Sequence, residues 1–216
     1  FAFMVIATMG MVQADVSSFE SDFDGWTTST FLRNSGSTPT SGSGPSSAYT
    51  GSYYVFAETS GPNFPGIEFS MYRDYSSDIT SVSFQYHMYG ETMGNVQLQG
   101  SSDGGSTYTT LWSKSGDYGN SWYSTTVPLD SSNEYQVLKF NYTSGSSYTG
   151  DFALDNVDVI VTGVKDIIVT GPSSGSNYDV GDSLTMTWTS EQLSSSYVAI
   201  YVCTSTSSST TCSSNS

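Results

Sequence analysis

With 216 residues, 20 acidic against 5 basic side chains and a formal net charge of −15, the chain is long enough for one large or two modest domains and is a poor partner for nucleic acid. A phosphate backbone is gripped by clustered Lys and Arg, whereas Arg33, Arg73, Lys114, Lys139 and Lys165 are scattered singly, and the same acidity disfavours anionic membrane surfaces. Only 36% of residues are hydrophobic, yet 16 Tyr, 11 Phe and 4 Trp supply rings large enough to build a core, which argues against disorder throughout.

Residues 1–14 (FAFMVIATMGMVQA) are uncharged and apolar and end in Val12-Gln13-Ala14, the small-residue pattern of a signal peptide cleaved before Asp15. The segment is too short to span a bilayer. A buried first strand or helix is the alternative, but neither polar alternation nor a capping residue favours it. With no basic n-region or initiating Met in view, the expectation is a fragment that starts within its signal peptide and an exported mature protein.

From residue 15 onward helical periodicity is scarce, and short alternating runs are separated by Gly, Ser, Asn and Asp, the punctuation of an all-β chain. Candidate strands are 16–19, 53–58, 67–72, 82–89, 96–99, 107–112, 122–129, 135–142 and 152–161. Nine short strands fit an antiparallel β-sandwich with one solvated face per sheet. In the run 135–142, Leu138, Phe140 and Tyr142 share the inward parity and leave Lys139 and Asn141 outward. The stretch 84–98 (FQYHMYGETMGNVQL) reads as a β-hairpin, because alternation on both sides is interrupted by Gly90 and Gly94. Asp103-Gly104-Gly105 and residues 116–120 carry hairpin-turn chemistry. The Ser/Thr/Gly/Pro segment 34–47 reads as a surface loop, long enough to be either a functional edge or a family insertion.

A new pattern begins near Gly163. A strand at 167–170, the turn GPSSGSNYDVGD, a strand at 183–189 alternating Leu184, Met186 and Trp188, and a strand at 197–202 follow. This run resembles the Ig-like β-sandwich of Ser/Thr-rich surface-anchored proteins. Only about half of the roughly 100 residues of such a sandwich are present, so a truncated domain over 163–216 is expected. Its tail carries Cys203 and Cys212, whose bridging an exported setting permits and their spacing does not require.

The segment before it carries a more specific likeness. YHMYG at 86–90, Phe19-Glu20 followed by Gly25-Trp26, GSYYVFAE at 51–58, Trp122 with Val127 and Leu129, and the closing GDFALDNVDV at 150–159 together resemble the MAM domain of meprins, neuropilins and receptor tyrosine phosphatases. The order is right over residues 16–162. The resemblance implies a jelly-roll fold over 15–162 and an extracellular adhesion or recognition role. Family members carry cysteines near the places of Ser17, Asp24 and Ser81; their joint loss implies a branch without those disulfides. A disulfide is worth about 2–4 kcal/mol, and a bound cation is the natural compensation.

The carboxylates suggest where. On an uninterrupted strand Asp155 shares parity with the apolar Ala153, Val157 and Val159, and a buried unpaired charge is costly. It could be paired, protonated, turned outward by a bulge or bound to a metal. Glu20, Asp22 and Asp24 lie at period two near the other terminus, and oxygen-only ligands favour calcium. By resemblance to jelly-roll modules that tie their termini this way, Glu20, Asp22 and Asp155 are expected to form a structural calcium site, with Glu58 or Asp24 as extra ligands; a solvated acidic edge is the alternative.

Catalytic constellations are thin. G-x-S-x-G occurs at 100–104 and 171–175, but neither run sits at a strand-to-helix elbow, and the sole histidine, His87, precedes both. His87 reads as a hydrogen-bonded strand residue. Asn141-Tyr142-Thr143 is a sequon, meaningful in a eukaryotic host. The expected protein is a secreted or cell-surface non-catalytic module, not an enzyme, that binds protein or glycan ligands, homophilic association among the outcomes, without nucleic acid or direct membrane insertion. The alternatives are a carbohydrate-binding accessory domain of a secreted hydrolase or peptidase and a surface-anchored stalk.

Overall fold

A computed structural model describes residues 13–162 and four later strand segments, Ile167–Gly171, Thr187–Ser190, Tyr201–Thr206 and Ser209–Ser214. Residues 13–161 lie in one compact unit. Its strands are β1 (Gln13–Ser17), β2 (Thr27–Thr28), β3 (Leu32–Ser35), β4 (Tyr53–Ala57), β5 (Glu68–Asp74), β6 (Ile79–Met88), β7 (Asn95–Ser101), β8 (Thr109–Ser115), β9 (Trp122–Pro128), β10 (Val137–Thr143) and β11 (Phe152–Val161). The nine expected strands are all present, and β2 and β3 are short additions. A 3-10 turn at Ser131–Asn133 is the only helical element among the described residues.

Two antiparallel sheets result. One has the order β3-β4-β11-β6-β9 with β1 also on β11; the other has the order β2-β5-β10-β7-β8. Between them lies an aromatic core in which Phe84 meets Phe140 and Trp112 edge-on at 5.0 Å, and Tyr142 stacks on Phe152 at 5.3 Å. Leu138, Phe140 and Tyr142 are fully buried, as the parity of that run requires, while Lys139 and Asn141 stay partly exposed. The sequon Asn141 therefore lies on the solvated face of a central strand, opposite Ser70 and Gln97.

Residues 84–98 are not a hairpin. β6 pairs with β11 and β9, whereas β7 pairs with β10 and β8, so the chain arches from one sheet to the other through Gly90 and Gly94. Alternation demands an apolar partner for Phe84 and Met88 on one side and for Val96 and Leu98 on the other, and facing sheets satisfy that as well as neighbouring strands do. The arch needs glycine. Gly90 has φ +145, and a side chain there would lie 2.3 Å from the Thr149 carbonyl oxygen. Residues 116–120 likewise carry the chain from β8 to β9 in the other sheet, while Asp103-Gly104-Gly105 does close the β7–β8 hairpin.

Ser17, which stands near an expected cysteine, is buried. Its hydroxyl accepts from Trp26 Nε1 at 3.0 Å and from Arg73 Nη1 at 3.2 Å. Arg73, from β5, also grips Asp15 of β1 through both its terminal nitrogens, at 2.8 and 2.5 Å. A bidentate ion pair thus ties the first strand of one sheet to the other sheet.

The remaining strands are β12 (Ile167–Gly171) paired with β13 (Thr187–Ser190) and β14 (Tyr201–Thr206) paired with β15 (Ser209–Ser214), both antiparallel. The β14–β15 register sets Cys203 opposite Cys212. The Ig-like arrangement expected of 163–216, and the leader reading of residues 1–12, lie outside the described residues. Gln13 and Ala14, the end of that expected leader, pair in β1 with Val161 and Ile160.

Candidate functional site

β11 organises the polar chemistry. β4 pairs with its residues Phe152, Ala153 and Leu154, whereas β1 pairs with Val157 through Val161 along the same edge. Between the two partners the ladder against β6 skips from Asp155↔Gln85 to Asp158↔Ser83, and Asn156 has φ +49. This β-bulge inverts the strand's parity. Before it Phe152 and Leu154 face the inter-sheet core; after it Val157 and Val159 do, and Ala153 joins an outer cluster with Tyr54 and Phe56. Asp155 is thereby turned away from the apolar interior, one of the outcomes open to it from sequence.

The turn at 49–53 fills the gap where β1 gives way to β4. Asp155 Oδ2 accepts from the backbone N–H of Tyr49 at 2.8 Å and Thr50 at 3.0 Å, and Oδ1 accepts from Asn156 at 2.7 Å. Glu20 Oε1 accepts from Ser52 and Tyr53, both at 2.9 Å. Two carboxylates therefore satisfy the amides that the broken edge leaves unpaired. Burial raises the Asp155 carboxyl, with the Glu20 charge adding to the rise, while its amide donors act the other way. The Tyr53 and Ser52 amides lower that of Glu20. Gly51 has φ +64 at the centre of the turn, and a Cβ would stand 2.3 Å from Glu20 Oε1.

Of the expected calcium ligands, the structure brings Glu20 and Asp155 to one turn, whereas Asp22 Oδ1 accepts from its neighbour Asp24 at 2.6 Å. Asp24 Oδ2 in turn accepts from Phe19 N at 2.6 Å. Among the described residues no three His, Cys, Asp or Glu side chains gather to hold a metal ion. A positive charge already sits close by: the Arg33 guanidinium donates to the carbonyls of Phe19 and Glu20 and lies 3.6 Å from the Tyr53 ring centroid. Nothing in the local sequence signalled Arg33, because β3 brings it here by pairing with β4.

His87 is 1% exposed on the outer face of β6, between Trp122 and Tyr89, with Nε2 3.1 Å from Asn120 Oδ1. Burial pushes its pKa down to about 4. The segment 34–47 folds over this face: Trp122 Nε1 donates to the Ser47 carbonyl, Gly44 N to the Tyr89 carbonyl, and Asp151 N to Ser43 Oγ. It borders a cavity of about 320 Å³ whose other walls are Tyr89 and Asn120. The G-x-S-x-G run at 100–104 is a turn, in which Ser101 Oγ donates to Asp103 Oδ1 and accepts from Gly105 N; residues 172–175 of the second run lie outside the described residues.

The family description "MAM domain, meprin/A5/mu" matches residues 17–163, more than half of the chain. The chain belongs to the MAM domain family. The chain is 39% identical over 109 residues to the MAM domain-containing glycosylphosphatidylinositol anchor protein 1 of Rattus norvegicus, a match covering 49% of this chain and 11% of that protein. With protein 2 of that name from Mus musculus the identity is 30% over 153 residues, covering 64% and 16%. The chain thus spans a small part of the length of the curated relatives it matches. Among solved structures, the K1 cleaved adhesin domain of Lys-gingipain from Porphyromonas gingivalis W83 has a TM-score of 0.54 at 16% identity, over 70% of this chain and 99% of that one. The K2 adhesin domain gives 0.52 at 15% identity, over 68% and 99%. These two share the β-sandwich fold. A MAM domain is an extracellular module of adhesion type, and this one is extracellular.

Proposed function

We propose that this MAM domain is a non-catalytic recognition module that holds protein or glycan ligands at the cell surface, self-association included. Family membership over residues 17–163 carries the reading. The disposition of the polar groups supports it: the carboxylates of Glu20 and Asp155 cap a turn, and the sole histidine is buried among aromatic rings. The test is aggregation of beads coated with the full chain. Clumping that soluble chain competes away is expected for self-recognition, binding to cell-surface protein for a second partner; absence of both, with measurable turnover of any offered substrate, overturns it.

A specific observation favours a carbohydrate-binding accessory role as the second reading. Tyr118 and Tyr123 remain exposed beside one another, Tyr123 stacks on Tyr86, and the Lys114 amine lies 5.3 Å from the Tyr118 ring centroid. Exposed rings beside polar groups suit sugar faces. Glycan-array hits lost in Tyr118→Ala and Tyr123→Ala would establish this reading over the first.

Calcium held by Glu20, Asp22 and Asp155 is a further part of the proposal. What supports it is the convergence of Glu20 and Asp155 on one turn; binding would require Asp22 to release the Asp24 amide and the cation to share the site with Arg33. Calorimetric calcium binding abolished by Glu20→Gln is expected, and a melting temperature indifferent to chelator removes it.

A further inference from the structure

The 216 residues hold two cysteines, Cys203 and Cys212, and the β14–β15 ladder sets them directly opposite one another. The register fixes more than their pairing. Its last pair is Thr206↔Ser209, with two residues of chain between, so the i to i+3 hydrogen bond of such a connection falls on that pair. Along an antiparallel ladder hydrogen-bonded and non-hydrogen-bonded pairs alternate. Counting back from the turn, Ser205↔Thr210 is non-hydrogen-bonded, Thr204↔Thr211 hydrogen-bonded and Cys203↔Cys212 non-hydrogen-bonded. Pairs of that kind share one face of the ribbon and stand about 4.5 Å apart at Cα. A disulfide spans about 4.4–6.8 Å.

Composition gives this ribbon a need for a covalent link. β14 carries Tyr201 and Val202, whereas Ser209, Thr210, Thr211, Ser213 and Ser214 leave β15 no apolar residue besides Cys212 itself. Among the described residues the two strands form a sheet of their own. A two-stranded ribbon is marginal in water even with an apolar face, and a threonine pair such as Thr204↔Thr211 adds little.

We propose that Cys203 and Cys212 are joined by a disulfide that staples β15 to β14. The bond forms by thiol–disulfide exchange. Both thiols lose their protons, the two sulfurs give up two electrons as the S–S bond forms, and the disulfide of an oxidised dithiol protein in the export route takes up electrons and protons to become two thiols. The extracellular setting preserves the bond once made. With no third cysteine among the 216 residues, no other pairing competes within them, and the short segment 204–211 keeps each thiol at a high effective concentration about the other.

The full chain is secreted from a host with an oxidising export route, unfolded in denaturant without reductant and exposed to a thiol-alkylating reagent. The expected result is a mass two hydrogens below that of the reduced chain, no alkylation until reductant is added, and a non-reducing digest in which the peptides bearing Cys203 and Cys212 stay linked. Amide exchange within 201–214 is expected to quicken about tenfold or more on reduction and in Cys212→Ser, while residues 13–161 keep their rates. Two alkylated thiols in the secreted monomer overturn the proposal. So does a disulfide-linked dimer that disappears in Cys203→Ser, which assigns the cysteines to joining two chains. A bridge whose reduction leaves exchange in 201–214 unchanged overturns the stapling.

Discussion

Asp155 and Glu20 hold one five-residue turn from its two ends: Asp155 takes the amides of Tyr49 and Thr50, and Glu20 those of Ser52 and Tyr53. The residue between, Gly51, is left-handed. Asp155→Ala strips three amides of their acceptor at a buried position and is expected to cost about 2–4 kcal/mol in denaturant unfolding. Gly51→Ala forces φ > 0 on a side chain and crowds Glu20, for a loss above about 1 kcal/mol. Losses below 0.5 kcal/mol for both, on the order of an ordinary surface change, would mean the turn is held by something else.

Arg73 and Ser17 link the first strand across the sandwich. Ser17→Ala orphans the buried Trp26 N–H and removes an Arg73 contact, with an expected cost of about 1–3 kcal/mol. Arg73→Ala is expected to cost about 1 kcal/mol, since its pair with Asp15 is partly exposed. The second loss shrinks in high salt and the first does not, which a pair of unfolding titrations at low and high ionic strength checks.

Two groups make stability depend on pH in opposite senses. Folded His87 resists protonation until about 4, so the unfolded chain binds a proton first and stability falls as pH drops from about 6.5 towards 4. The swing is on the order of 2 kcal/mol after allowance for solvent. Asp151, raised to about 6, contributes stability that is whole below the ordinary Asp pKa near 3.9 and is lost as pH rises through about 6. In chelator, His87→Gln is expected to gain stability relative to the unaltered chain on acidification, and Asp151→Asn to lose it. Parallel pH profiles for all three proteins would refute both assignments.

Trp122 anchors the segment 34–47 through its bond to Ser47 and its edge-on packing against Tyr49 and Tyr54, at 6.3 and 6.0 Å. Trp122→Phe keeps a ring but loses the donor. Faster amide exchange confined to 34–47, with at most about 1.5 kcal/mol lost globally, is the expected outcome. Uniform acceleration across β6 and β11 would show the segment and the sheet to unfold together.

Much of this domain could be read from its residues alone. An antiparallel strand with one buried face needs only period-two alternation, a local property, and so the nine alternating runs are strands in the folded chain. Family membership was legible too, because short motifs such as YHMYG and GDFALDNV are contiguous. The segment 84–98 alternates like a hairpin yet crosses between sheets, since alternation says that a face is buried but not whether its partner lies beside it or across the core. For Glu20 and Asp155, sequence placed two carboxylates at the termini of one domain; it could not show that amides of the turn 49–53 would occupy them, nor that Asp22 would stay with Asp24.

What the order of residues settled by itself was the all-β character, the arrangement of inward and outward side chains along most strands, and the absence of a basic surface. Only the tertiary structure decided where the charges point. A single bulge at Asn156 reverses the face of every residue beyond it, and β3 delivers Arg33 to carbonyls more than ten positions away. Both depend on contacts between distant segments, whose free energy is collected only when the chain closes, and no local pattern encodes it.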